Sequence, residues 1–152
     1  MRDSLQFKRA ITHYGAGMAE IKELASNRRC VMPDGSINYN RTSSTGDAAL
    51  RATDAGEVDP VLRTLSFWDG DTPGAALHAF AIHPMSYYGK GGVSADFPGI
   101  ARRARNSDMP GVFQIYFSGC SGDVVAGKWN DGNPINRQIL ADKVRAGMTA
   151  AW

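Results

Sequence analysis

Little in the composition advertises what this protein does. Only two residues are cysteine, Cys30 and Cys120, and only three are histidine, His13, His78 and His83. Two distant cysteines exclude a disulfide framework and a zinc-finger pattern, and unless they pair with each other they read as buried thiols. There is no HExxH motif and no pair of histidines spaced for one helix face, so any metal centre must be assembled from residues far apart in the chain. A dominant charge is missing too: 17 Lys and Arg against 15 Asp and Glu leave +2, which argues against a nucleic-acid or membrane surface built on charge. The one basic cluster, Arg102, Arg103 and Arg105, reads as the wet face of a helix. No apolar run approaches the roughly 20 residues that span a bilayer, and the opening MRDSLQFKRA does not read as a signal peptide. Internal repeats and low-complexity tracts are absent from the sequence. What remains reads as a soluble chain of one-domain size, whose 43% of apolar residues suffices for a core.

Patterning predicts a mixed α/β fold, a β-sheet flanked by helices. Leu5 to Ala10 reads as a short helix, and Ile11 to Ile21 as a strand bent around Gly15 and Gly17. From Asn27 to Pro60 the chain is polar and without period, which predicts a long, mobile surface excursion. Val61 to Phe67 is a predicted strand whose Val61, Leu65 and Phe67 share a face with Arg63. The turn chemistry of Asp69 to Gly74 then folds Ala75 to Ile82 back as its antiparallel partner. Asp96 is a candidate N-cap for a helix through Arg105, with Pro98 in the first turn and Ile100 and Ala104 inward. Val112 to Phe117 is apolar and aromatic, as a buried strand would be. Leu140, Val144, Met148 and Trp152 form one apolar stripe on the final helix.

The segment AALHAFAIHPMSYYGKGGVSAD, Ala75 to Asp96, concentrates the polar chemistry. An apolar strand ends there on His83-Pro84, and a Gly-rich loop leads on to Ser94 and Asp96. If Ala75 to Ile82 and Val112 to Phe117 are parallel neighbours joined by a crossover helix, their C-terminal ends share one edge of the sheet. His83, Ser94, Asp96 and the Ser118 to Asp123 loop then converge, where α/β enzymes keep their chemistry. His78 shares a strand face with Phe80 and Ile82 and reads as a packed core residue. His83, at the strand tip, is either a metal ligand or catalytic group, or a histidine satisfied by a loop carbonyl. Gly122 to Lys128 matches the start of a phosphate-binding loop, but Trp129 stands where Ser or Thr should follow, and turn residues replace the helix. Ser118 and Ser121 sit in FSGCSGD rather than in a GxSxG elbow. Cys120 needs a positive neighbour to become a nucleophile.

The strings AFAIHPMSYYGKGGVSADFPGIARR and FSGCSGDVVAGKWNDG resemble two neighbouring blocks in the catalytic N-terminal domain of the neutral ceramidase family, in the form of a bacterial branch that writes AGKxNDG. Asn27-Arg28-Arg29 and Asp59-Pro60 resemble positions ahead of those blocks. The likeness runs from about Gly15 to the C-terminus, so residues 1–152 resemble an incomplete portion of one such domain. It implies a zinc-dependent amidase cleaving the N-acyl bond of a lipid-like substrate, with Zn2+ as cofactor and His83 as a zinc ligand. Asp96, Asp123, Ser94 and Ser121 are the catalytic candidates beside it. The family's other zinc ligands, a histidine upstream and a glutamate and tyrosine downstream, fall outside the matched part, which leaves this chain an incomplete site. The family's nucleophilic serine follows Gly-Asp-Val, where this chain carries Val125. Attack by zinc-activated water, a different substrate, or a domain without catalysis are the readings that remain. A sheet with unpaired edges is further expected to self-associate.

Overall fold

A computed structural model describes residues 8–90 and 92–152. Residues 5–7 of the short helix expected near the N-terminus lie outside them, and Lys8 to Ala10 are irregular. Strand β1 (His13–Glu20) alternates exposed and half-buried residues and runs past both glycines without a break in its pairing. Those glycines permit close approach rather than a bend. A Cβ on Gly17 would stand 2.2 Å from the Ala151 carbonyl oxygen, so the end of the last helix reaches this strand only because no side chain intervenes.

The polar stretch after it is not a loose excursion. It contains β2 (Ser26–Asn27), β3 (Cys30–Val31), β4 (Ile37–Asn38) and a short helix α1 (Ala48–Ala52). Asp47 caps α1, its Oδ1 accepting from the Ala49 amide at 2.8 Å. Arg41, fully buried, holds the segment together. Its Nε donates to the Asn27 carbonyl at 2.8 Å, Nη1 to the Thr53 hydroxyl at 3.0 Å and the Asp54 carbonyl at 2.8 Å, and Nη2 to the Ala55 carbonyl at 3.2 Å. Bonds from one side chain to scattered carbonyls leave no periodic trace in a sequence, so an ordered segment of this kind reads as a loose one.

Then follow β5 (Val61–Asp69), β6 (Thr72–Phe80), helix α2 (Asp96–Asp108), β7 (Phe113–Ser118), β8 (Val124–Val125) and helix α3 (Asn136–Ala150). The main sheet has the order β1-β5-β6-β7. β5 and β6 form the expected antiparallel hairpin, and β6 pairs with β7 in parallel across the α2 crossover. β6 ends at Phe80, earlier than the Ile82 expected. β2 pairs with β8, which brings the second block of Gly-rich sequence against the first polar segment.

Both helices lie on one face of the sheet. On β5 that face presents Leu62, Thr64 and Ser66, all buried, so the face carrying Leu65, Phe67 and Arg63 is the outer one. Registered rows cross that outer face: Met18, Arg63, Ala79 and Phe117, then Ala16, Leu65, Leu77 and Ile115, then Tyr14, Phe67, Ala75 and Phe113. β7 is accordingly an edge strand with Phe113 and Phe117 exposed, not the buried strand its composition suggested. Helix α2 buries Phe97, Ala101 and Arg105, while Ile100 and Ala104 are half-buried. Arg105 thus belongs to the interior and not to the wet face; its Nη2 contacts the Met109 sulfur at 2.8 Å and Nη1 lies 3.6 Å from Asp108. Leu140, Val144 and Met148 are fully buried as expected, each worth about 1.5–3 kcal/mol of apolar burial. Trp152 is half-buried and packs against Trp68. No helix among the described residues is long and apolar enough to cross a membrane.

His78 is fully buried between sheet and helices, as expected. Its Nε2 donates to Gln114 Oε1 and its Nδ1 accepts from the Thr64 hydroxyl, both at 2.8 Å. Burial holds its pKa below the ordinary histidine range, and the nearby Arg105 cation adds to this against the opposing Gln114 hydrogen bond. The unfolded chain therefore takes up the proton first as pH falls, and the native state loses stability from about pH 6.5 downward through the depressed folded value. Urea unfolding is expected to show this loss at about pH 5.5 relative to about pH 7.5, with a slope of at most roughly 1.4 kcal/mol per pH unit from this group. In His78→Gln the loss should shrink; an unchanged slope would remove His78 as its source.

Candidate functional site

The site is built where β6 and β7 end. The Phe80 carbonyl accepts from the Gly119 amide at 3.0 Å, continuing the parallel pairing into the Ser118 to Asp123 loop. Just past Ile82 the chain is clamped again: the His83 amide donates to the Val124 carbonyl at 2.9 Å, and His83 Nδ1 approaches the same oxygen at 3.2 Å. A carbonyl only accepts, so Nδ1 carries a proton, and in the neutral ring this leaves the lone pair on Nε2. Both sequence readings of His83 are thus present in one residue. It is satisfied by a loop carbonyl, and that same bond orients a half-buried imidazole whose other nitrogen is available.

Asp123 directly precedes the clamping residue. Its carbonyl accepts from Arg28 at 2.9 Å, and its Oδ2 is buried with no hydrogen-bond donor, 3.6 Å from the Arg29 guanidinium. Ser121 is half-buried and closes the turn through its carbonyl, which accepts from the Val124 amide at 3.0 Å. The convergence expected for His83 and this loop is therefore observed.

Ser94 and Asp96 lie at the other end of the His83 loop. Ser94 is exposed, its hydroxyl accepting from the Asp96 amide at 3.2 Å. Asp96 is the first residue of α2 rather than its N-cap, with φ 47°. Its Oδ1 accepts from the Phe97 amide at 2.6 Å and the Ser86 hydroxyl at 2.5 Å, while Oδ2 accepts from the Ser86 amide at 2.9 Å. Arg137 on α3 completes the set at 3.4 Å. The carboxylate is nearly saturated, and it binds the loop after His83 to both helices.

Sequence reasoning missed the residues that carry this connection. Ser86 is fully buried, accepts from Arg137 Nε at 3.0 Å, and its carbonyl accepts from Asn130 Nδ2 at 2.8 Å. Asn130 also donates to the Ser43 carbonyl at 2.8 Å, reaching the segment that Arg41 organises. The Arg137 guanidinium lies 4.4 Å from the Tyr87 ring centre. Asn130 stands inside the WNDG string; for Ser86 and Arg137 no local signal exists, because each acts through contacts remote in sequence.

One recess opens beside the His83 loop and another beside the Ser118 to Asp123 loop. The first, of about 300 Å³, is lined by Pro84, Met85, Tyr87, Ser94, Asp96 and Arg137, among others. The second, of about 560 Å³, is lined by Val58, Arg63, Phe80, Ala81, Cys120 and Val124 among others. Cys30 is buried and Cys120 exposed, and both are free thiols; the expectation that both are buried fails at Cys120, which sits on an outward loop. Near the edge the Tyr116 hydroxyl is buried without a partner, and burial pushes its pKa up. The phosphate-loop match is void: Lys128 Nζ is consumed by carbonyls, with Arg51 at 2.8 Å. Among the described residues no three His, Cys, Asp or Glu side chains gather as a metal would require.

No protein-family model matches the chain, and no curated protein matches it by sequence. Among solved structures it is similar to the neutral ceramidase from Pseudomonas aeruginosa, with a TM-score of 0.62 and 17% identity. The superposition covers 91% of this chain and 22% of that one, so the chain spans about a fifth of the length of the protein it matches. At such identity the likeness is one of fold.

Proposed function

We propose that the chain is part of the catalytic domain of a ceramidase-type hydrolase that cleaves an amide bond of a lipid-like substrate with the help of zinc. The observation that carries this reading is the orientation of His83. A metal-binding histidine ordinarily donates its second ring nitrogen to a carbonyl or carboxylate, which fixes the ring and raises its basicity, and Val124 supplies that carbonyl. The fold likeness to a neutral ceramidase supports the assignment of reaction class.

As a donor set for zinc the described residues are incomplete. His83 fits as one ligand, but a zinc site takes three or four, and no such cluster is present among them. The remaining ligands would have to come from elsewhere, and a single ligand defines no chemical step at the metal. What the chain's own residues contribute is placement. Asp96 holds the His83 loop in shape, Asp123 presents a carboxylate oxygen free of hydrogen bonds beside the clamp, and Ser121 sets the turn between them. Ser94 sits exposed at the mouth of the smaller recess.

The alternative reading, a domain that keeps the fold with an unfinished site and no catalysis, draws support from that single ligand and from Val125. Metal analysis and turnover together separate the two. After dialysis the chain is expected to retain well under one zinc per molecule, and His83→Ala to retain none; tight stoichiometric zinc would contradict the incomplete site. Hydrolysis of a fluorogenic ceramide, stimulated by added zinc and lost in His83→Ala, supports the hydrolase. Zinc that binds through His83 yet supports no turnover decides for the non-catalytic domain.

A further inference from the structure

The outer face of the main sheet, opposite α2 and α3, takes no part in the His83 site. Apart from Arg63 its registered rows are wholly apolar; α2 and α3 lie on the other side, and at one end the irregular residues Arg9 to Ile11 border a recess beside Phe67 and Ala75. We propose that this face docks a second copy of the chain, sheet against sheet, to form a two-fold dimer. The inference stands whether or not His83 holds zinc.

Area is the first argument. Tyr14, Met18, Phe113 and Phe117 stand at the corners of the patch with 69%, 71%, 64% and 48% of their surface exposed, and Leu65 in the middle row keeps 40%. At about 200 Å² for a large side chain, these five alone leave on the order of 600 Å² per copy. That is the upper end of what a monomer ordinarily exposes in one apolar patch, roughly 300–600 Å². With the remaining members of the rows it approaches the roughly 800 Å² per partner of a stable interface.

Shape and charge point the same way. Bulky corners alternate with Ala16, Ala75 and Ala79 along the margins. Packed sheets cross at about 30°, which at this patch size displaces each corner by roughly one strand spacing, about 5 Å, off its counterpart and over the partner's alanines. A two-fold contact requires such self-complementarity. The lone charge, Arg63, is neutralised in place by Asp59 at 2.7 Å. A lipid surface would call for a rim of cations, whereas charges of both signs border this patch, Glu20 and Asp59 at one end and Arg9, beside Phe67 and Ala75, at the other.

Sedimentation velocity of the full chain across a micromolar concentration series tests the proposal. A dimer is expected for the unaltered protein. Met18→Lys and Tyr14→Lys on β1, and Phe117→Lys on β7, should each weaken it at least tenfold with little change in urea midpoint, because all three side chains are exposed. Substitutions on both edges are needed. Edge-to-edge association through β7 would respond to Phe117→Lys but not to Tyr14→Lys, and that pattern overturns the proposal. So does a protein that stays monomeric throughout, and so does a monomer that co-sediments with phosphatidylcholine vesicles, which would assign the face to lipid.

Discussion

Replacing Arg41 by methionine is expected to lower the unfolding free energy by about 3–5 kcal/mol, the usual cost of removing one partner from a buried, charge-assisted arrangement. Methionine approximates the length of the side chain, so packing is largely kept and the loss is polar. The guanidinium is fully buried and donates to carbonyls of Asn27, Asp54 and Ala55 and to the Thr53 hydroxyl. Without it the Asn27 and Asp54 carbonyls lose this donor at a part-buried site, at about 1–3 kcal/mol each if the segment cannot open to water, while the Ala55 carbonyl keeps the Asn27 amide and the Thr53 hydroxyl keeps the Leu50 carbonyl. Opening relieves that penalty but gives up the β2–β8 pairing and the Asn130 link, which is why the total does not reach the sum. Domains of this size are stable by roughly 5–15 kcal/mol, so the variant loses a large share and should melt about 10 °C lower or more. Arg41→Lys, a point charge with no planar fork, should fall between the two. Urea midpoints and amide exchange across residues 27–60 measure the effect. A midpoint within about 1 kcal/mol of the parent, with unchanged exchange, would show that the segment is held by something else.

The second large effect is expected at Asp96. In Asp96→Ala the Ser86 amide, the Phe97 amide and the Ser86 hydroxyl lose their acceptor, and Arg137 loses its anion. A loss of about 2–4 kcal/mol follows from orphaned donors at a buried site, and alanine tolerates the positive φ at this position poorly. The damage should be local as well as global. Ser86 is the point where the His83 loop meets α3 and Asn130, so limited proteolysis should begin to cut between His83 and Ser94. Asp96→Asn keeps one acceptor oxygen and a residue type that visits this backbone region more readily, and should lose about half as much. A native midpoint and an uncut loop in Asp96→Ala would mean that the carboxylate does not hold the loop. Turnover can then be read cleanly, since a variant that keeps its fold and loses activity would give Asp96 a role in chemistry.

The candidate site was legible in sequence to the extent that it depends on strand order. His83 and the Ser118 to Asp123 loop share an edge because an apolar strand, a helix and a further apolar strand in succession make a crossover, and crossovers bring like ends together. The clamp on Val124 was not legible: any carbonyl in a Gly-rich loop could have met the ring. Ser86, Asn130 and Arg137 were invisible for a related reason. Hydrogen bonds between side chains and remote backbone follow no period, and one serine or asparagine in a polar string resembles every other.

Local pattern alone determined the β5–β6 hairpin, the α2 crossover, the buried stripe of α3 and the packed state of His78, since turn chemistry and residue spacing act within a few positions of the chain. Tertiary structure decided which side of the sheet is the inside. Period two states that Leu62, Thr64 and Ser66 share one face of β5 and that Arg63, Leu65 and Phe67 share the other. By composition the face with Leu65 and Phe67 has the more core-like character. The helices nevertheless cover the opposite one, where His78 satisfies Thr64 and where the backbone of β1 is bare enough at Gly17 for α3 to approach. A face becomes interior through what packs on it, and that depends on the volume and hydrogen bonding of residues far along the chain, which alternation within a single strand does not encode.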